Sequence, residues 1–382
     1  MLEYLNAKVT DYAIILSWAD QELRDLQSKR AEHHRLITHL RGKLNEAQAL
    51  HTQLRIIARI GDPRLIARAL PIIHDIEFWT IIITCYYLPA LRRENNDDLA
   101  LRDILLPTAA RCGLSWIEDI AVRLDGMQAI VSELTETPVI FAPPQHAASL
   151  LDMAGLYHEF GHNVFRKFPS IADDLAGITS DYFSDFREEA GPMGPNGRAE
   201  RDRAINQAQR YWNAERLDEI FSDIYATSVC GPIHYFSCVD MALRLAGDPF
   251  QVNPIDVHPP PAARVYVCYR TLSSAHQEEP FVIAIRDAWN THVNTLDRNA
   301  EFELVCANAL LDCIVEACIR IIGTLLPGAN HYDEPLPASS DIEQIPPGAS
   351  LESILNKAGK ILLMKPDRYA DWEKEALKIL RS

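Results

Sequence analysis

The chain has 382 residues, of which 48% are hydrophobic and 24% charged, and its formal net charge is −16. These proportions are those of a globular protein with one large domain or two. The acidic balance argues against non-specific binding to nucleic acid, because contacts to phosphates need basic surfaces. The first twenty residues lack the basic start, apolar centre and cleavage site of a signal peptide.

The eight cysteines favour a cytoplasmic protein in which they are reduced. They lie mostly in apolar segments of helical pattern and form no C-x-x-C pair. A disulfide framework or a Cys-based zinc site is usually marked by closely spaced pairs. We therefore expect core residues and no Cys-rich metal site. The cysteines are Cys85, Cys112, Cys230, Cys238, Cys268, Cys306, Cys313 and Cys318.

Residues 1–106 are predicted to form a helical N-terminal region. Apolar residues recur at heptad spacing through residues 16–58. Three polar residues interrupt this seam: Arg30, His33 and His51. The favoured interpretation is a long amphipathic helix folded against the helices of residues 64–91, with Gly61-Asp62-Pro63 as the turn. The alternative is a helical partner or dimer surface along residues 16–58.

Two apolar stretches are predicted to be buried helices rather than membrane spans. Residues 78–91 form the longest run, with 14 residues including a proline. A helix that crosses a bilayer needs about 20 apolar residues. Residues 314–326 are interrupted by Glu316 and Arg320. A position at a membrane edge is the alternative for residues 78–91.

The remaining chain is predicted to contain a central domain, residues 107–330, followed by a linker and a tail. Residues 117–124 and 138–142 have the pattern of short strands. Residues 331–350 are rich in Pro, Ser, Asp and Glu, which is typical of a linker. Residues 351–382 are predicted to form a C-terminal helical tail that docks on the body or on a partner.

The most informative stretch is His158-Glu159-Phe160-Gly161-His162, which has the form H-E-x-x-H. It lies in a predicted helix, where residues four apart share a face. The two imidazoles therefore point the same way, as ligands of one metal ion do, and Glu159 lies beside them to handle a proton. Gly161 permits another backbone to approach closely. A helix with two ordinary histidines is the alternative.

A third metal ligand is expected from a second predicted helix, which ends near Gly231. Glu219 and Asp223 are four residues apart among apolar neighbours, where a carboxylate needs a cation or a hydrogen-bond donor. Two His and one Glu leave one zinc position open, and Asp223 can accept the free ring N–H of a ligand histidine. Glu215 and Asp218 are rival ligands, and a solvated acidic helix face is the alternative.

Residues 166–206 form a long insertion between the two predicted metal helices. Gly191–Gly197 in its middle is predicted to be a loop because glycine and proline are concentrated there. The insertion is interpreted either as a lid or substrate-selecting element, or as a tolerated surface loop.

The H-E-x-x-H pair, followed 57 residues after its second histidine by E-x-x-x-D, resembles the gluzincin metallopeptidases, the thermolysin-like clan. The resemblance implies a mostly α (α+β) fold with a zincin-like catalytic domain and a small sheet, one edge strand of which aligns substrate. It also implies one Zn²⁺ per chain, held by His158, His162 and Glu219. In the same resemblance Glu159 is the general base and Asp223 orients a ligand histidine.

A third block, residues 256–264, resembles the His-Pro-Pro…Arg element of the CAAX-prenyl-protease and HtpX-type branch. The resemblance covers residues 138–270 and implies that His258 stabilises an oxyanion and Arg264 anchors acidic helix residues. The alternative for His258 is a turn residue before a helix that prolines introduce. That branch is usually embedded in the membrane, whereas no membrane spans are predicted here.

These features together predict a zinc-dependent metallopeptidase acting on a protein or peptide substrate. Glu159 would take a proton as water attacks a carbonyl carbon and pass it to the leaving amine. One alternative is a deformylase-type zinc amidase, but Arg111–Ser115 does not match its E-G-C-L-S block. The other is a non-catalytic metal-binding scaffold or interaction protein.

Overall fold

The computed structural model describes residues 2–66, 68–93, 95–124, 129–144, 149–188, 195–244, 247–329, 332, 343–346 and 348–381. The described chain is mostly helical with one three-stranded sheet, which confirms the predicted mostly α class. Two compact units are present. Unit 1 comprises Met1–Leu106 and Ser115–Pro144, and unit 2 comprises Pro107–Leu114 and Gln145–Ser382.

The first helices and the strands follow one another along the N-terminal third of the chain. They are α1 (Leu2–Lys29), α2 (His34–Ile60), α3 (Pro63–Ile66), α4 (Ala69–Ile81), α5 (Leu88–Arg93), α6 (Asn96–Arg111), β1 (Ala121–Arg123), β2 (Ala129–Val131) and β3 (Val139–Phe141).

The heptad seam is buried inside unit 1, between α1, α2 and α4. The predicted single helix is instead an antiparallel pair, because the chain turns at Arg30 and a short 3₁₀ segment, Ala31–His33. His33 at this turn is buried and lies 2.8 Å from an Asp119 carboxylate oxygen. Since the seam is filled within the chain, the predicted partner or dimer would have to use other faces of α1 and α2.

The turn predicted at Gly61-Asp62-Pro63 is confirmed. Gly61 ends α2 with a left-handed φ of 68°, and its N–H donates to Ile57 O. Pro63 then begins α3. A left-handed residue at a helix end is most easily glycine, which has no Cβ to clash.

The sheet belongs to unit 1, whereas the sequence predicts its strands in a central domain of residues 107–330. β3 is its middle strand, parallel to β1 and antiparallel to β2. The strands predicted at residues 117–124 and 138–142 are confirmed in shorter form, and β2 was not predicted. Short strands carry local patterns only, so the sequence did not reveal which unit they join. The described part of unit 2 contains no strand.

The apolar stretch at residues 78–91 is helical but only partly buried. Ile83, Tyr87 and Leu91 lie in the core of unit 1, whereas Phe78 and Ile81 are exposed. The stretch includes a π-helical turn, Ile82–Tyr87, between α4 and α5. In the described part of the chain, one continuous helical stretch, Ala69–Arg93, is long and apolar enough to cross a membrane by length and composition.

Unit 2 consists of packed helices. After the end of α6 they are α7 (Leu150–Met153), α8 (Leu156–Lys167), α9 (Ser170–Glu188), α10 (Pro195–Tyr211), α11 (Ala214–Cys230), α12 (Pro232–Arg244), α13 (Pro261–Thr271), α14 (Ser274–Gln277), α15 (Pro280–Val293), α16 (Ala300–Val305), α17 (Asn308–Leu325), α18 (Leu351–Met364) and α19 (Pro366–Leu380). The apolar stretch at residues 314–326 lies mostly in α17, whose buried face is in the core, as predicted.

The structure bears on two further sequence interpretations in unit 2. The insertion of residues 166–206 is largely helical, as α9 and most of α10, and its predicted loop Gly191–Gly197 lies mostly outside the described residues. Within the predicted tail, α18 is buried along most of its length in unit 2, which agrees with the predicted docking on the body, whereas α19 is mostly exposed. Asn356 on α18 donates to Cys230 O at 2.7 Å and accepts from Ile233 N at 2.9 Å. Most of the predicted linker, residues 331–350, also lies outside the described residues.

Candidate metal centre

The site is built where α8 and α11 pack against each other. A Cβ built on Gly161 would lie 2.5 Å from Ser222 Cα, so the glycine is what allows the two helix backbones to come this close. The Asn213 side chain caps the start of α11 by accepting from Arg216 N, and Gly231 ends it at a φ of 77°. These features set the position of Glu219 opposite the two histidines.

His158, His162 and Glu219 converge as a set that could hold one metal ion. His158 Nε2 lies 3.3 Å from Glu219 Oε2, and His162 Nε2 lies 3.5 Å from Glu219 Oε1. Two ligand atoms on a tetrahedral zinc at about 2.0–2.1 Å would lie about 3.3–3.4 Å apart. Glu219 Oε2 is buried and has no hydrogen-bond partner among the described residues, so the donor set fits a cation.

Each of the two histidines has a carboxylate close to its Nδ1, the ring nitrogen that is not directed at Glu219. His162 Nδ1 lies 2.8 Å from Asp218 Oδ1, and His158 Nδ1 lies 2.9 Å from Asp223 Oδ1, although the latter pair is not aligned as a hydrogen bond. Such carboxylates favour a ring proton on Nδ1 and leave the Nε2 lone pair for a metal. Asp218, a rival ligand by sequence, thus stands behind His162. The other rival, Glu215, is exposed on the first turn of α11.

Arg264 on α13 ties Asp223 in place. Its Nε donates to Asp223 Oδ2 at 2.6 Å and its Nη2 donates to Asp223 Oδ1 at 2.9 Å. The same Nη2 lies 3.7 Å from Glu219 Oε2. Burial alone would raise the pKa of Asp223, but the charge of Arg264, aided by His158, outweighs burial and holds that pKa well below its ordinary value. Asp223 is therefore a buried, ionised and rigidly held carboxylate.

The pKa shifts at the site reflect the close pairing of buried groups of opposite charge. Burial disfavours a charged imidazole, yet Asp223 and Glu219 outweigh it and raise the pKa of His158 to about 10. Burial also opposes the charge of Glu219, but His158 and Arg264 lower the pKa of Glu219 to about 2. Carboxylates that stabilise a proton on a buried histidine this strongly can also balance the charge of a metal cation bound there.

His258 lies at the accessible side of the site, on the segment between α12 and α13. Its side chain is 54% exposed, and its Nε2 lies 3.7 Å from Glu219 Oε1. Asp256 Oδ1 accepts a hydrogen bond from the His258 backbone N–H and lies 2.9 Å from His258 Nδ1. Arg216 holds the segment by donating to the carbonyls of Pro254 and Asp256. Arg216 was not predicted as a site residue, since no local sequence pattern shows that an arginine hydrogen-bonds to a segment about 40 residues away.

Glu159 is buried on α8, directly beside the first histidine of the pair. The structure thus links six of the seven predicted site residues in one network of close contacts, and Glu159 adjoins them along the helix. The six are His158, His162, Glu219, Asp223, His258 and Arg264.

Replacing Arg264 by Ala is expected to lower the free energy of unfolding of the metal-free protein by about 3–5 kcal/mol. The reason is that the buried charge of Asp223 would lose the Arg264 guanidinium, which makes two hydrogen bonds to it. Urea unfolding followed by circular dichroism measures the change. The control is Arg244→Ala, whose side chain is 75% exposed and pairs with Asp240 on one helix turn, so a loss of about 0.5 kcal/mol is expected. Equal losses in the two variants would contradict this account of Arg264.

Comparison with known proteins gives no relative. A scan against protein-family models, a search of curated proteins and a search of solved structures each find no significant match.

Proposed function

We propose that the chain is a zinc-dependent metallopeptidase of gluzincin type, with a zincin-like catalytic domain built around α8 and α11. The observation that carries the proposal is the geometry of the donor set. The Nε2 atoms of His158 and His162 face the two oxygens of Glu219 at separations of 3.3 and 3.5 Å. A carboxylate stands behind each ring, which is the arrangement that catalytic zinc sites use.

A bound zinc ion would polarise the scissile carbonyl and lower the pKa of an attacking water to about 7. Glu159 accepts the proton of that water and delivers it to the leaving amine. His258, at the accessible side, donates to the oxygen on which negative charge develops. Asp218 and Asp223 keep the two imidazoles in one orientation, and Arg264 keeps Asp223 ionised.

The substrate we propose is a protein or peptide, and the chain would act without nucleic acid. The His162 and His258 side chains retain exposed surface, whereas His158 and Asp223 are buried. Substrate would therefore approach from the side of His162 and His258. We also propose, as the sequence predicts, that the protein is cytoplasmic and has no membrane partner.

The proposal is tested by incubating the full chain with a mixed peptide library and identifying the products by mass spectrometry. We expect cleavage that stops when a chelator removes the metal and returns when zinc is added back. A preparation carrying His162→Ala, purified in parallel, controls for a contaminating protease. Zinc-loaded protein that cleaves nothing would favour the non-catalytic scaffold instead.

A further inference from the structure

A second group of metal-ligating side chains lies on the other side of Asp223, where α11 packs on α12 and α13. His234 and Cys238 are four residues apart on α12, so they share a face, and Cys268 on α13 meets them. All three are buried, as is Asp223. One donor atom from each of the four residues lies within 4.8 Å of the others.

The separations between these donor atoms match a tetrahedral site. Cys238 Sγ lies 3.4 Å from Cys268 Sγ and 3.4 Å from His234 Nε2. Asp223 Oδ1 lies 3.4 Å from His234 Nε2 and 3.9 Å from Cys238 Sγ. Zinc bonds of about 2.3 Å to sulfur and 2.0–2.1 Å to nitrogen or oxygen imply ligand separations of about 3.3–3.8 Å. These four separations lie in or close to that range, and every pair among the four donor atoms is within 4.8 Å, so one cation could bind between them.

We propose that His234, Cys238, Cys268 and Asp223 bind a second zinc ion, which is structural. All four protein ligands are present, whereas the candidate catalytic site has three and an open side. Two thiolates and one imidazole are a soft donor set, which selects zinc over magnesium or calcium. The two thiolates and Asp223 carry three negative charges. The two positive charges of zinc and the single positive charge of Arg264 balance them.

The second ion would give Asp223 a double role. Its Oδ1 stands 2.9 Å from His158 Nδ1 and 3.4 Å from His234 Nε2. Zinc in the second site would fix Asp223 from one side while Arg264 fixes it from the other. The structural ion thereby positions the residue that orients His158. This inference does not depend on peptidase activity, because its four ligands include none of the three proposed catalytic ligands.

The test is the metal content of the full chain loaded with Zn²⁺ and freed of excess metal. We expect about two zinc ions per chain in the unmodified protein and about one each in His162→Ala and Cys268→Ala. Cys318→Ala, which alters another buried cysteine away from the cluster, should keep two. One ion in the unmodified protein that Cys268→Ala retains would overturn the proposal. If Cys268→Ala lost a zinc ion and His162→Ala kept the zinc content of the unmodified protein, the result would support this site and reject the catalytic one.

Cobalt substitution keeps the test decisive if Cys268→Ala fails to fold. Co²⁺ bound by thiolates has an intense charge-transfer absorption in the near ultraviolet, which His/Glu ligation does not produce. We expect this absorption in the unmodified chain and in His162→Ala, neither of which alters a cysteine. Its absence from both would overturn the proposal, as would a native Cys238–Cys268 disulfide detected by mass spectrometry under non-reducing conditions.

Discussion

Glu159→Gln is expected to lower peptide hydrolysis at least about 100-fold while the zinc content stays unchanged. General acid–base groups contribute about 10²–10⁴-fold to such reactions, and an amide cannot accept the proton. Gln keeps the size of the buried side chain, so α8 and its histidines should remain in place. Initial rates on one peptide from the library, beside zinc analysis of the same preparation, measure both quantities.

The matched control for this variant is Glu215→Gln, at an exposed position on the first turn of α11. It removes the same charge from the other helix of the site, at a residue that the sequence alone left as a rival ligand. We expect its rate and zinc content to equal those of the unmodified chain. A fully active Glu159→Gln variant would show that another group is the base, and an inactive Glu215→Gln variant would show that the net charge matters instead.

Gly161→Ala is expected to destabilise the protein by about 2–3 kcal/mol or more and to weaken zinc binding. The added methyl would lie 2.5 Å from Ser222 Cα, and this neighbour is backbone that cannot rotate away. Pushing α8 away from α11 loses packing free energy and also moves His162 away from Glu219. Urea unfolding of the metal-free protein and a zinc titration report these two effects separately.

Gly177→Ala on α9 is the control, because a Cβ there meets no atom within 4 Å. Alanine is favoured over glycine inside a helix by about 1 kcal/mol, so this variant should be slightly more stable than the unmodified chain. Equal stability of the two alanine variants would mean that the close approach of α8 and α11 is not needed.

The residues of the site could be predicted from the sequence better than their arrangement. The spacing of His158 and His162 fixes their common face, because helix geometry is local. Glu215, Asp218 and Glu219 lie within little more than one turn, so spacing could not choose among them. The packing of α11 on α8 makes the choice. It turns Glu219 toward both Nε2 atoms and leaves Asp218 behind His162.

Features that depend on long-range packing were missed. The strands were found as local patterns, but their membership in unit 1 depends on contacts distant in sequence. Cys238 and Cys268 are separated by 29 intervening residues without a C-x-x-C signal, so they were interpreted as separate core residues. The spacing of His234 and Cys238, four apart on one helix, was the signal available.

The most direct test of the central claim is the zinc content of three preparations measured by mass spectrometry of the metal. They are the unmodified chain, His162→Ala and His74→Ala, the last a histidine whose side chain is 81% exposed on α4. The account predicts that His162→Ala holds about one zinc per chain less than the unmodified protein, and that His74→Ala holds the same amount. Equal zinc in His162→Ala and the unmodified chain would contradict a metal centre at the H-E-x-x-H helix.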